Sequence, residues 1–347
     1  MAKNAAPVSE QSSLFSSLPD FGQPVEIAPG VFWLTLPLPG PPGHINTLLL
    51  RESTGWTVID TGMFTPDTAA LWRQVASDVL AGEPVCNVVI THCHPDHIGM
   101  AAWFAEEFGA ELYMSRSEWL FSQFLLLLPD AEFGKIFRAF YHDCGGSPEF
   151  LNYIEQRGNQ YSSMVMPVRQ GHKRLVDGHY LKLGGTNWRT ITASGHSPEM
   201  VTLYCSEHEL LFAADQILPG ISPNISVWPS EPEENPLKEY LTSLQNYSDL
   251  PETTRIFPSH GLPFQGVRSR IEALLQHHDE RLQRVLDACA TPRTAVDVAR
   301  MMLGRDVELY QMPFTIGEGL AHLNYLIESG EIVKERRADG VLLYRRR

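Results

Sequence analysis

The apolar positions of this chain follow three successive rhythms. From Val25 to Thr61 short apolar runs alternate with turn residues. "VEIAPGVFWLTLPLP" breaks at Pro29-Gly30, and "HINTLLLRE" and "GWTVIDTG" are separated by "STG", a pattern of consecutive strands. "TPDTAALWRQVASDVL" switches to helical spacing, with Thr65 as N-cap and Pro66 at the first helical position. "CNVVI" then predicts a buried strand, "HIGMAAWFAEEFG" a helix ending at Gly109, and "AELYM" another strand. Strands and helices in alternation predict a layered α/β domain.

Residues 115–165 form the second rhythm. They are rich in aromatic residues and predict a helical insertion with two helices around "LPDAEFG". Strands resume with "RLVDGHYLKLG", "NWRTITAS", "VTLYCSE" and "ELLFAAD". The third rhythm is helical. "IEALLQHHDERLQRVLDAC" sets Ile271, Leu274, Leu275, Leu282, Val285, Leu286 and Cys289 near one face. "TAVDVARMML" opens with Thr294 and carries Asp297 three positions on, a capping-box-like start. "IGEGLAHLNYLIESG" predicts a third helix, stopped by Gly330, and "EIVKERRADGVLLYRRR" a hairpin about Ala-Asp-Gly. Three helices and a terminal hairpin read as a winged-helix module. The expected division is a loosely ordered tail over 1–22, a catalytic domain over 23–266 with the insertion at 115–165, and a winged-helix-like domain over 267–347.

Composition narrows the function classes. The chain of 347 residues carries a formal net charge of -14, which disfavours non-specific binding to nucleic acid or anionic membranes. Five scattered cysteines without a CxxC pair fit a reduced compartment better than a disulfide framework. The N-terminal segment has no apolar core of a signal peptide. The stretch "WLFSQFLLLLP" is too short to span a bilayer and is interrupted by Ser122 and Gln123. The expectation is a cytoplasmic protein with no membrane partner.

The chemistry begins in "THCHPDHIGM", residues 91–100. His92 and His94 leave a strand two positions apart, so their side chains share a side. Pro95 keeps His94 extended and can open the helix that follows, where Asp96 and His97 point in a second direction. Two imidazoles one way, and a carboxylate with an imidazole the other, suit two adjacent metal ions; nitrogen and oxygen ligands fit zinc, with iron or manganese as alternatives. His196 in "ASGHSPEM", Asp215 after "LLFAA" and His260 in "RIFPSHGLPF" each follow a strand. Singly each reads as a surface or capping residue; as a set behind the first motif they read as ligands.

The ordered set HxHxDH, a histidine in a GHSP turn, an aspartate and a histidine in an SHG turn, with "VIDTG" upstream, resembles the metallo-β-lactamase superfamily across about residues 25–266. The resemblance extends to its β-lactamase-like protein 2 and glyoxalase II-like branches, some of which carry a winged-helix tail. It implies a four-layer αββα sandwich with metals at one edge. His92, His94 and His196 would hold a first ion and Asp96, His97 and His260 a second, with Asp215 bridging and Asp60 bracing the ligand loop. The sequence departs from many relatives at Glu199-Met200, where they have Gly-His.

Two ions roughly 3.5–4 Å apart would share a water and lower its pKa toward about 7, which implies metal-assisted hydrolysis. Asp96 is the candidate for shuttling a proton. The insertion offers Trp119, Phe124, Phe137 and Tyr141 as walls of an apolar pocket, which would suit a small thioester, ester or lactone. Packing of an added layer, or a homodimer contact, is the other use of those aromatic residues. An RNA or single-stranded nucleic-acid endonuclease is the second functional reading, because of the tail, and a single-iron enzyme like the persulfide dioxygenases the third. The basic end of the tail is interleaved with Glu331, Glu335 and Asp339, which favours packing over phosphate contact. Cys93 is expected to point away from its ligand neighbours. His44, His142, His172 and His179 are expected at the surface or a pocket rim, His277 and His278 in solvent, and "SPNISVWPSEPEENP" as a loop near the site.

Overall fold

A computed structural model describes residues 13–169, 171–304 and 307–347. Seven strands form the first sheet in sequence order: β1 (Val25–Ala28), β2 (Val31–Pro37), β3 (His44–Glu52), β4 (Gly55–Ile59), β5 (Val85–Val89), β6 (Glu111–Met114) and β7 (Lys173–Arg174). The second sheet has the order β12-β11-β10-β9-β8, from β8 (Tyr180–Leu183), β9 (Thr186–Ala193), β10 (Met200–Cys205), β11 (Leu210–Ala214) and β12 (Arg255–Pro258). Neighbouring strands β1 to β4 are antiparallel, whereas β4, β5, β6 and β7 run parallel. That change follows from the crossovers through α1 (Pro66–Asp78), α2 (Pro95–Ile98) and α3 (Ala101–Phe108), since parallel strands need a long connection.

The period of two in the strands sorts their side chains into layers. Trp33, Leu48, Leu50, Ile59 and Val89 meet Trp188, Val201, Leu203, Phe212 and Phe257 between the sheets. Leu34, Leu36, Leu49, Val58 and Val88, one position out of phase, pack against Trp72 and Phe104 of α1 and α3. The far side of the second sheet, through Ile191, Leu211 and Ala213, is covered by α8 (Pro236–Ser243) and the C-terminal helices. The result is a four-layer αββα sandwich.

Three local expectations are corrected. Residues 13–22, expected as a loose tail with 1–12, lie on the sandwich: Leu14 N donates to Pro263 O at 2.9 Å, and the Phe15 ring packs on Trp33 at 5.0 Å. Residues 1–12 are outside the described residues. The helix expected over "HIGMAAWFAEEFG" breaks at Gly99-Met100, because Met100 N donates to Thr61 Oγ1 and Gly62 O. A Cβ on Gly99 would come within 2.5 Å of Gly62 O and Phe64 N, so the close approach requires glycine. The insertion holds four helices rather than two: α4 (Arg116–Leu127), α5 (Asp130–Asp143), α6 (Pro148–Arg157) and α7 (Tyr161–Met164). The unread start signal was Ser147-Pro148, where Ser147 Oγ caps Phe150 N at 3.2 Å.

The C-terminal part comprises α9 (Val267–Ala288), α10 (Ala295–Leu303), α11 (Met312–Glu328) and the pair β13 (Ile332–Arg336) and β14 (Leu342–Arg346). Thr294 and Asp297 form the expected reciprocal capping box. Its apolar side chains are continuous with those of α8, the insertion and the second sheet in one core. The buried face of α9 runs through Val267, Arg270, Leu274, His278, Leu282 and Val285, and Leu275 is off it, 38% exposed. No helix among the described residues is long and apolar enough to cross a membrane.

His278, expected in solvent, is fully buried. The Glu318 carbonyl can only accept, so His322 Nδ1 donates to it at 2.8 Å, and His322 Nε2 faces His278 Nδ1 at 3.3 Å. Both rings are therefore held neutral: burial first, and then neighbouring imidazoles and Arg281, bring His278 down to about 2, while burial brings His322 down to about 3. With both folded-state values below the ordinary 6.5, the unfolded chain takes up protons first as pH falls. The pair's contribution is complete above about pH 7 and declines below it by at most about 1.4 kcal/mol per pH unit for each ring. Urea unfolding at pH 7.5 and 5.5 is expected to show a steeper loss in the native chain than in a His278→Leu, His322→Leu chain. Equal slopes would contradict the assignment.

Candidate metal centre

Five of the seven metal-competent residues lie in segments that follow strands of the sandwich, and Asp96 and His97 lie on the short helix α2. The segment after β5 carries Thr91, His92 and His94; His196 lies between β9 and β10, Asp215 directly follows β11, and His260 follows β12. Gly195 keeps a φ of +106° beside His196, and a Cβ there would lie 2.4 Å from Pro236 O, so this turn too requires glycine. His92, His94, His196 and Asp215 offer ligand atoms within 4.8 Å of one another, and Asp96, His97 and His260 form a second such group.

Hydrogen bonds on the far side of each ring set its tautomer. His196 Nδ1 donates to Asn224 O at 2.8 Å, and His260 Nδ1 to His44 O at 2.9 Å. His97 Nδ1 donates to Asp60 Oδ2 at 2.7 Å. Thr91 Oγ1 donates to Asp60 Oδ2 and lies 3.0 Å from His92 Nδ1. The four Nε2 atoms thus face inward, free of the loop hydrogen bonds and open to a proton or a cation. Those of His97 and His196 have no hydrogen-bond partner, nor does Asp215 Oδ1. His92 Nε2 stands only 3.0 Å from His94 Nδ1, a spacing that needs a shared proton or a cation. Asp215 stands between the two groups, its oxygens 3.2 Å from His196, 3.5 Å from His260, 3.7 Å from His97 and 4.0 Å from His92 Nε2. Buried donors with fixed tautomers and unused lone pairs fit divalent cations.

The charge balance points the same way. Burial, followed by the repulsion of His196, brings His94 down to about 3. Burial also leads in lowering His92, with His97 and His94 adding to it. His260 goes the other way, to about 10: burial opposes protonation, but the Asp215 and Asp96 carboxylates outweigh it. Burial opposes the charge on Asp96 as well, yet His97 and His260 bring its carboxyl down to about 2. Two buried carboxylates demand positive charge at this spot, from protons or from metal.

Asp60 braces the ligand loop. Its carboxylate accepts from Thr91 N at 2.9 Å, Thr91 Oγ1 at 2.8 Å and His97 Nδ1, all buried. Sequence reading missed a second brace from the insertion. Glu118 of α4 is fully buried; its Oε2 accepts from Cys93 N at 2.9 Å and its Oε1 from Glu199 N at 2.7 Å. Glu199 Oε2 in turn accepts from Ser117 N at 2.9 Å. The departure at Glu199 therefore serves the junction between the insertion and the His196 loop. His44, expected at the surface or a pocket rim, is buried, and its Nε2 accepts from Gly261 N at 3.0 Å. Cys93 packs into the helix-side core, away from the ligands.

Beside the cluster an apolar chamber of about 280 Å³ opens at His94 and Pro95. Phe124, Phe137 and Tyr141 line it, with Phe121 and Phe133 from the insertion, Trp228 from the 222–236 loop and Phe314 from α11. Trp119 is a correction. It lies outside this wall, with its ring stacked on His172 at 4.9 Å.

Residues 40–260 match the metallo-β-lactamase superfamily, and residues 282–347 match the metallo-β-lactamase-like C-terminal domain. The chain belongs to the metallo-β-lactamase superfamily. The crystal structure of a β-lactamase domain protein from Burkholderia ambifaria is similar at 39% identity, covering 96% of each chain with a TM-score of 0.88. Among curated relatives, the "Probable metallo-hydrolase YqjP" of Bacillus subtilis is 28% identical over 85% of this chain and 92% of its own length. An "Atrochrysone carboxyl ACP thioesterase" of Aspergillus fumigatus is 20% identical over 72% of this chain and 45% of its own length. The family match and the His/Asp cluster together make this a divalent-metal site.

Proposed function

We propose that this metal-dependent hydrolase uses two divalent ions, zinc by the chemistry of the donors, to cleave a small thioester, ester or lactone with an apolar acyl part. The observation that carries the reading is the aromatic chamber opening at His94. A larger hollow of about 430 Å³ beside α9 includes none of the seven clustered residues. The relative named as an acyl-carrier-protein thioesterase supports the thioester end of the range.

When bound, the ions supply Lewis-acid polarisation of the scissile carbonyl and lower the pKa of water. His92, His94 and His196 would hold one ion and Asp96, His97 and His260 the other, with the Asp215 carboxylate between the two groups. The Asp96 side chain is 19% exposed against 8% for Asp215, so Asp96 is the carboxylate placed to exchange a proton with solvent and substrate. The chamber walls exclude water and orient the acyl group.

The surface charges speak against nucleic acid. Lys334 pairs with Glu233, Arg336 with Asp143, Arg337 with Asp339 and Arg281 with Glu318, so among the described residues these four cations are already neutralised by carboxylates and are poorly suited to a phosphate backbone. The C-terminal part instead builds the chamber. Gly317 O accepts from Val227 N at 3.0 Å, and Asn324 Nδ2 donates to Glu234 O at 2.7 Å, securing the 222–236 loop.

The test is a panel of acyl thioesters of increasing chain length, lactones and phosphodiesters, with protein loaded with zinc, manganese or iron. Burial of one methylene contributes about 0.8 kcal/mol, so kcat/KM is expected to rise about fourfold per CH2 until the chamber is full. Turnover of phosphodiesters alone would overturn the reading.

A further inference from the structure

The chamber is not uniformly apolar. Tyr141 of α5, one of its wall residues, is 1% exposed, and its hydroxyl has no hydrogen-bond partner. A buried hydroxyl without a partner is destabilising unless something else satisfies it. Arg157, at the end of α6, lies on the same wall. Its Nε donates to Gln160 Oε1 at 2.6 Å, and its two terminal nitrogens have no bond or ion pair among the described residues. Burial, and then the neighbouring Cys144 thiol, keep the Tyr141 hydroxyl protonated against the smaller opposing pull of the Arg157 charge. A protonated phenol beside a guanidinium is a pair of donors. The aromatic rings of Phe133 and Phe137, stacked at 3.8 Å on the same wall, offer them no acceptor.

We propose that Tyr141 and Arg157 form an oxygen-recognition subsite in the chamber, so that the acyl group carries an oxygen acceptor besides the scissile carbonyl. That acceptor is a carboxylate, or a keto or hydroxyl oxygen. The inference rests on the acyl-hydrolase reading for its ligand and refines it, since a plain hydrocarbon chain would leave the buried Tyr141 hydroxyl unmet. Tyr141 serves either kind of oxygen, whereas Arg157, a permanent cation, discriminates for the carboxylate.

The test uses zinc-loaded full-length protein and acyl analogues in which a thioether replaces the thioester, so that binding is read by calorimetry without turnover. Three analogues of equal length end in methyl, methyl ketone or carboxylate. The native chain is expected to bind the ketone and the carboxylate at least fivefold more tightly than the methyl analogue. Tyr141→Phe is expected to weaken both oxygenated analogues about 5- to 10-fold and to leave the methyl analogue unchanged, the size of one hydrogen bond. Arg157→Gln is expected to weaken the carboxylate about 10- to 100-fold and the ketone less than threefold.

Equal binding of all three analogues by the native chain would overturn the proposal, as would a Tyr141→Phe loss shared equally by the methyl analogue. If only the ketone arm is preferred and Arg157→Gln changes nothing, the oxygen is neutral and the subsite is Tyr141 alone, which overturns the role of Arg157. Oxygen-selective binding without hydrolysis of the matching thioesters would sink the hydrolase reading and leave the subsite standing. Hydrolysis without oxygen selectivity would do the reverse.

Discussion

Asp215→Ala is expected to lose bound metal and hydrolysis together. Among the described residues, Asp215 is the one carboxylate within 4.0 Å of imidazoles from both ligand groups, reaching His92 and His196 on one side and His97 and His260 on the other. Removing it leaves His260 without the carboxylate that does most to raise its pKa, and it leaves neither group a shared anion. Loss of a residue that merely orients a ligand costs about 10- to 100-fold in metal affinity or activity, so loss of this residue should exceed that range. Metal content by mass spectrometry should fall to less than half that of the native chain, with turnover beyond detection. Native metal content and more than a tenth of native activity would remove Asp215 from the centre.

The second large effect is expected far from the metal motif. Glu118→Gln keeps the shape of the side chain but replaces one acceptor oxygen with an NH2 group. That group must face either Cys93 N–H or Glu199 N–H, a donor against a donor in a fully buried place. Losing a charge-assisted bond and leaving an amide unsatisfied costs about 2–4 kcal/mol. The same change loosens the segment between His92 and His94 and the loop that carries His196, so affinity for zinc should fall about 10- to 100-fold. Chelator competition at a temperature where both proteins are folded separates the two effects. A lowered melting temperature with unchanged zinc affinity would show that Glu118 only packs the insertion onto the sandwich.

Much of this architecture is legible in one dimension. The alternation of β2 and β3 predicts their two-faced burial, Thr65-Pro66 predicts the start of α1, and Thr294 with Asp297 predicts the cap of α10. The seven residues singled out as metal-competent stand together in space because the loops after β5, β9, β11 and β12, with the short helix α2, meet at one edge of the sandwich. Other features escape such reading. The i, i+4 spacing of Leu274, His278 and Leu282 places His278 on the inner face of α9, but a polar imidazole reads by default as solvent-facing, and only His322 on the facing surface of α11 shows what it meets there. Glu118 reads as an ordinary acid in the first turn of α4, and Tyr141 reads as one more aromatic residue on an amphipathic helix.

The sequence by itself determined the layer order, the strand and helix periods, the caps and the identity of the seven clustered side chains. The periods and caps are set by interactions between residues a few positions apart, whereas the layer order and the ligand set were implied by the resemblance of an ordered series of motifs to the superfamily. Only the tertiary structure decided which carboxylate clamps two ligand loops, which imidazoles are buried neutral, and which walls of the chamber keep a donor unmet. These depend on groups tens to hundreds of positions apart, such as Glu118 with Glu199 or His44 with His260, and no local pattern records what a buried polar atom will find opposite it.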